Sequence, residues 1–199
     1  MLHVKGIAKS KYASLYFDTD DFLFYHSHHN GKINRVKVRF REYLDSQVCF
    51  LEIKRKNGKG KTIKKRIKVE KIEKNLTESQ KKFITNELQT IQKLNYCHEN
   101  FFHRITMVNK KMKERITIDV DLEFKNEKTK IKEKTKNIVI AELKQERLNR
   151  HSFFYSLMKK HGIRSSGMSK YCVGTSSLYS ELKANRFKRN FRILEKNNN

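Results

Sequence analysis

Arg35–Tyr43, RVKVRFREY, is the stretch that decides the fold class. Lys37, Arg39, Arg41 and Tyr43 occupy alternate positions, with Val36, Val38 and Phe40 between them. Successive side chains of a strand point to opposite faces, so this segment is a strand with one cationic and one apolar face. The same alternation runs through Val48–Lys56, where Glu52, Lys54 and Lys56 oppose Cys49, Leu51 and Ile53. It recurs at 62–70, where Lys64, Arg66 and Lys68 oppose Ile63, Ile67 and Val69. A Gly-containing turn at 57–60 joins these two runs, which predicts an antiparallel meander.

Outward from this core, 14–19 (SLYFDT) reads as a short aromatic strand, 20–29 as opening helically, and Asn30-Gly31 as a turn. After residue 70 the period changes. Thr77 is an N-cap and Gln80 completes a capping box. Phe83, Ile84, Leu88, Ile91 and Leu94 then follow at helical spacing, which predicts a helix over 78–94. Strands return at 101–109, 114–124 and 137–144; in the second, Arg115, Thr117, Asp119 and Asp121 alternate with Ile116, Ile118, Val120 and Leu122. A helix over 146–161 carries Phe153, Phe154, Leu157 and Met158, with Gly162 as its C-cap. A third helix is expected over 177–184. The Lys-, Glu- and Thr-rich segment 125–137 reads as a mobile hairpin loop or exposed strand ends. The expected class is α+β with a dominant antiparallel sheet: one domain over 1–184, then a basic tail over 185–199 that frays.

The chain has 199 residues and a formal net charge of +25, from 46 Lys plus Arg against 21 Asp plus Glu. That excess points to a polyanionic partner: nucleic acid, an anionic membrane surface or a phosphate polymer. The sequence is also rich in Lys, Asn and Ile, so the arginines and the placement of charge say more than the lysine total. Cys49, Cys97 and Cys172 are scattered, which argues against disulfides and a zinc site and for a reducing cytoplasm. No apolar run reaches the length of a membrane helix, and the N-terminus lacks a signal-peptide core. Membrane association would be peripheral or through a partner.

Alternation alone assigns the charged faces to solvent. Three features oppose that assignment. Arginine, suited to bidentate oxyanion contacts, stands at Arg39 and Arg41. Single carboxylates sit among the cations: Glu52 beside Lys54, Asp119 beside Arg115 and Glu142 beside Lys144. A divalent metal held against phosphates needs such groups, whereas a plain nucleic-acid surface does not. Finally, the helices have apolar stripes that need an apolar sheet face. If they lie outside, the cations face a lumen.

A family resemblance rests on SLYFDT, the Tyr25 to Gly31 stretch, KVRFREY (37–43), FLEIKRK (50–56), KKRI (64–67), HRITMVNKK (103–111), ERITIDVDLEF (114–124), IVIAELK (138–144) and GMSKYCVG (167–174). In this order they resemble VTC domains, the polyphosphate polymerase domains of the triphosphate tunnel metalloenzymes (CYTH-like), in their bacterial stand-alone branch. The resemblance implies an antiparallel tunnel barrel with flanking helices. It implies transfer of the γ-phosphate of ATP to inorganic polyphosphate with Mn²⁺ or Mg²⁺. Matched motif by motif, the residues acting on phosphate would be Arg39, Arg41, Lys54, Arg104, Arg115 and Lys170. Lys37, Lys64, Arg66 and Lys144 would add phosphate contacts. Glu142 would be the principal metal ligand and Glu52 a second, better placed to orient neighbouring bases. In the family an opening strand with an acidic-x-Lys pattern precedes SLYFDT. Here Lys5 and Lys9 fall outside that pattern, so the barrel is expected to be incomplete on its N-terminal side.

Other groups read as structural. His26, His28 and His29 sit at a turn without a Cys or carboxylate at ligand spacing. Asp18 and Asp20 suit turn caps, Tyr16, Phe17, Phe22, Phe24 and Tyr25 the core, and Tyr96 and His103 packing or a rim. Two further functions stay in view: a non-enzymatic polyphosphate or nucleotide binder using the same lumen, and an RNA or DNA binder using an exposed sheet. The carboxylates and the motif order disfavour the last, so no specific nucleic acid is expected.

Overall fold

The alternating segments become β1 (Lys9–Asp18), β2 (Arg35–Tyr43), β3 (Val48–Lys56), β4 (Thr62–Val69), β5 (Asn95–Asn109), β6 (Glu114–Asn126), β7 (Ile131–Lys134) and β8 (Ile140–Gln145). The helices are α1 (Leu23–His29), α2 (Glu78–Leu88), α3 (Phe153–Lys160), α4 (Lys170–Leu178) and α5 (Lys188–Lys196), the last preceded by a 3-10 turn, Asn185–Phe187. These assignments come from a computed structural model describing residues 8–58, 61–89, 93–111, 113–135 and 137–196.

All eight strands form one antiparallel sheet in the order β4-β3-β2-β1-β5-β6, with β7 and β8 both on the far side of β6. The α+β class is as expected. The tunnel is not closed: among the described residues β4 and β8 remain the sheet's two ends. Both faces of the sheet are nevertheless covered. Leu15, Phe17, Val38, Phe40, Leu51 and Ile53 are at most 1 % exposed and form the core with Ile84 of α2. Each such side chain contributes roughly 1.5–3 kcal/mol by leaving water. The cationic positions share the opposite face, in register: Arg39 faces Glu52, and Lys37 faces Lys54, which faces Lys64.

The helix α4 lies across that second face. Ser169 caps it by accepting from the Cys172 amide at 3.2 Å. Tyr171 stacks on His98, which stacks on Tyr16, with ring centroids 6.1 and 5.0 Å apart. Its hydroxyl donates to Asp18, whose carboxylate also accepts the Phe24 and Tyr25 amides at 2.9 and 3.0 Å. Asp18 is thus a buried cap for α1, and the helix ends at Gly31 with φ 69°, where a missing Cβ is required.

Several expectations are corrected. The strand carrying SLYFDT begins at Lys9; Lys5 lies outside the described residues. The helix expected over 78–94 stops at Leu88, where Gln89 turns left-handed at φ 53°; Ile91 lies outside the described residues, and β5 already starts at Asn95. The helix expected over 146–161 spans only Phe153–Lys160, because Ser152 takes the N-cap and Asn149 bonds locally to the His151 amide. The strand expected over 137–144 begins at Ile140, after Asn137 at φ 55°. In place of a helix over 177–184 the chain is helical at Lys170–Leu178, where Ser169 provides the N-cap. Part of 125–137 is the paired strand β7. The segment 185–196 does not fray: Leu194 is 8 % exposed, and Phe191 packs in the same cluster as Phe102 and Leu122.

Gly174 of α4 rides directly on the sheet. A Cβ there would meet Phe124 Cδ1 at 2.5 Å and His98 Nε2 at 2.6 Å. Gly174→Ala is therefore expected to cost about 1–3 kcal/mol by overpacking. Urea denaturation reads this as a lowered midpoint with an unchanged slope; an unchanged midpoint would show that α4 does not rest on these two rings.

Candidate functional site

The face opposite the α2 core is a cleft floored by β1, β2, β3, β5 and β6. Its centre is Glu52, 1 % exposed. One of its oxygens accepts from Arg39 Nε at 2.9 Å and Nη2 at 2.7 Å. Arg41 Nε stands 3.8 Å from that same oxygen, and the other oxygen meets Lys64 Nζ. Burial alone would raise the Glu52 pKa, but Arg39, Arg41 and Lys64 together hold it down at about 2. Glu52, expected as a second metal ligand or as a group orienting neighbouring bases, is ion-paired with Arg39, Arg41 and Lys64.

A second cluster sits on β5 and β6. Asp119 accepts from Arg104 Nε at 2.5 Å and Nη2 at 2.7 Å, and pairs with Lys170 from the first turn of α4. The rings of Tyr12 and Phe102 form a wall between the two clusters: the Arg41 guanidinium lies 5.6 and 5.7 Å from them, that of Arg104 5.4 and 5.2 Å. Arg41 is 6 % exposed, and its Nε has no hydrogen-bond partner. Burial, followed by the charge of Arg39, lowers its pKa to about 10. Tyr16 donates no charge but accepts from Arg39 Nη1 at 3.2 Å; burial raises its pKa, yet Arg39, Arg41 and Lys37 bring it down to about 8.

Charges from distant strands act together in this cleft. The pKa of Lys54 on β3 falls to about 8 through burial, then through Arg39, Lys144 and Lys37, with Glu142 opposing. Lys144 and Glu142 belong to β8, five strands away in sheet order, yet their charges act on Lys54.

The structure thus brings together Lys37, Arg39, Arg41, Lys54, Lys64, Arg104 and Lys170, with Lys144 and Glu142 opposite. Arg66 and Arg115 stay at the rim. Both are exposed, Arg66 over the Phe50 ring at 4.3 Å and Arg115 at the start of β6. Asp121, expected beside Asp119, points away because a bulge at Phe101/His103 with Asp121 at φ 56° breaks the alternation; it pairs with Lys9 at 2.8 Å instead. Sequence reasoning missed Tyr12 and Phe102. The alternation Ser10, Tyr12, Ser14, Tyr16 would have found Tyr12 had the strand been started at Lys9.

The histidine run holds no metal geometry. His28 Nε2 lies 3.3 Å from the Val36 carbonyl, and burial, then Lys37 and Arg35, lower its pKa to about 3. Among the described residues no three Asp, Glu, His or Cys side chains cluster as a ligand set. Glu142 is the cleft carboxylate not committed to an arginine: it is half exposed and pairs with Lys144 at 3.4 Å. That arrangement fits a hard cation that draws its remaining ligands from phosphate and water, as magnesium does.

The model of the VTC domain family matches residues 2–179. Among solved structures, a candidate adenylate cyclase from Bacillus halodurans shares the fold, with a TM-score of 0.50 and 14 % identity over 90 % of this chain and 83 % of that one. A candidate adenylyl cyclase from Hippeastrum, described by its dominant triphosphatase activity, has a TM-score of 0.47 and 15 % identity over 86 % and 84 %. No curated protein matches the chain in sequence.

The depressed pKa of Glu52 links the cleft to stability. Its folded value of about 2 lies below the ordinary 4.5, so the stabilisation is complete above pH 4.5 and is lost as pH falls toward 2. Glu52→Gln should lower stability at neutral pH by about 3 kcal/mol, since it leaves buried cations uncompensated. It should also flatten the acid limb of stability between pH 4.5 and 2, as followed by denaturation at stepped pH. An acid limb identical to that of the parent would show that Glu52 is not the group responsible.

Proposed function

The chain belongs to the VTC domain family, and on that premise we propose that it is a tunnel phosphotransferase that moves the γ-phosphate of ATP onto an inorganic polyphosphate chain. One observation carries the reading. Arg41 Nε is buried without a hydrogen-bond partner, the nearest Glu52 oxygen standing off at 3.8 Å, and an unsatisfied buried donor is costly unless something fills it. A phosphate oxygen is the acceptor that its charge and position suit.

Phosphoryl transfer asks for positioning and charge neutralisation more than for a covalent partner. In the proposed reaction the terminal oxygen of the polymer attacks the γ-phosphorus. The bond between that phosphorus and the β–γ bridging oxygen breaks, and ADP leaves with the electron pair. Arg39 and Arg41 face the equatorial oxygens from β2, and Arg104 and Lys170 from the other wall. Glu52 and Asp119 fix the guanidinium planes before substrate arrives, so little reorganisation accompanies the developing charge. Lys37, Lys54, Lys64 and Lys144 extend the field along the chain. Mn²⁺ or Mg²⁺ would be held by Glu142 and, when bound, neutralises charge on the phosphates. Arg66 and Arg115, exposed at the rim, would act on entry rather than on the reacting phosphate.

A second reading, a polyphosphate or nucleotide binder without turnover, is favoured by the lack of a multi-carboxylate cluster among the described residues. Nucleic acid is disfavoured by the carboxylates buried within the basic face.

The purified protein given ATP and Mn²⁺ should accumulate polymer, seen on a polyphosphate gel. Arg41→Ala and Arg104→Ala should each reduce the rate about a hundredfold or more, the scale of losing one preorganised charge-stabilising donor. Tight triphosphate binding without polymer would select the binder; no phosphate binding at all would reject both readings.

A further inference from the structure

A second basic pocket opens where β2 begins and β3 ends, with a volume of about 540 Å³. Lys37 and Lys54 line its inner side and Arg35 and Lys56 its strand ends, while Arg186 and Arg189 come from the C-terminal segment. No Asp or Glu is among the described residues lining it. In the central cleft Arg39, Arg41 and Lys64 share Glu52, and Arg104 and Lys170 share Asp119. Here, among the described residues, no ion pair reaches Arg35, Lys56, Arg186 or Arg189. Arg35 Nε is buried without a hydrogen-bond partner. The positive potential is felt by the neighbouring His28, which burial and then Lys37 and Arg35 keep neutral.

The two C-terminal arginines are held over this pocket by packing. Phe187 lies against Tyr25 and His29, with centroids 6.0 and 5.9 Å apart. Asn190 Nδ2 donates to the Gly167 carbonyl at 3.1 Å, and Arg186 Nη1 to the His29 carbonyl at 3.3 Å. Arg186 and Arg189 also lie beyond residues 2–179, the part that matches the family model. On one strand face, Arg35 to Arg41 spans roughly 20 Å at about 3.3 Å per residue. The pocket therefore continues the row of cations outward from the reacting centre.

Resting on the phosphotransferase reading above, we propose that this pocket holds the trailing phosphates of an inorganic polyphosphate chain, so that Arg186 and Arg189 give the protein a preference for chains longer than triphosphate. Unneutralised guanidinium groups suit a ligand that brings several charges of its own, and the central carboxylates are absent where no reacting phosphate needs aligned donors.

Calorimetric titration of the full chain with sodium triphosphate and with long-chain polyphosphate tests this. The parent should bind the long chain more tightly. The Arg186→Ala/Arg189→Ala double variant should bind it at least about tenfold more weakly, the scale of one lost charge-assisted hydrogen bond, with triphosphate affinity and melting temperature unchanged. Arg35→Gln, which enters from the strand side, should show the same selective loss. Unchanged long-chain affinity in both variants would overturn the proposal, as would a parent that binds triphosphate but gains nothing from longer chains. An equal loss for single-stranded RNA at matched salt would make the pocket a general polyanion surface and would also overturn it. A parent that binds neither phosphate would instead reject the phosphotransferase reading itself.

Discussion

The buried carboxylate of Glu52 is the interaction on which the cleft depends. Arg39, Arg41 and Lys64 converge within ion-pair distance of it. The largely buried Arg39 and Arg41, with Lys64 beside them, could not share this space without it, because the two guanidinium groups lose hydration and the three charges repel one another. A buried ion cluster of this kind adds little net stability compared with an apolar core. What it provides is fixed guanidinium planes facing a space that an anion can enter. Asp119 does the same for Arg104 and Lys170 on the opposite wall, and the aromatic rings of Tyr12 and Phe102 separate the two groups.

Such a cleft requires a sheet buried on both faces. The apolar face is sealed by α2, which frees the other face for charge. The cationic face is closed at one side by α4, whose Gly174 allows the helix backbone to approach His98 and Phe124. The same helix delivers Lys170 to Asp119. Packing and function are therefore set by one element: whatever moves α4 moves a cleft lysine.

Much of this was legible in the sequence, and the limits have physical causes. The strict alternation at Arg35–Tyr43 and Val48–Lys56 made the strands and their two faces plain, and Thr77 with Gln80 made the start of α2 plain, down to the reciprocal capping bonds. Period two alone could not say which face was inward; the lone carboxylates could, because a buried Glu52 makes sense only among cations. What alternation could not carry was its own interruption. The bulge at Phe101/His103 sends Asp121 outward while Asp119 stays in. Capping serines were likewise overlooked: Ser152 shortens α3 and Ser169 starts α4. Phe187, Phe191 and Leu194 stand at helical spacing, but they are isolated among lysines and arginines and their partners come from distant parts of the chain, so the docking of the C-terminal segment was overlooked.

The central claim is that these inward-facing arginines, and not the many exposed basic residues, meet phosphate. The most direct measurement follows the arginine side-chain Nε–Hε resonances of ¹⁵N-labelled protein by NMR during titration with triphosphate. Saturable shifts at Arg39, Arg41 and Arg104, with Arg147, Arg150 and Arg164 unmoved, are the predicted result. Shifts spread over the exposed arginines with Arg41 unaffected would contradict the account.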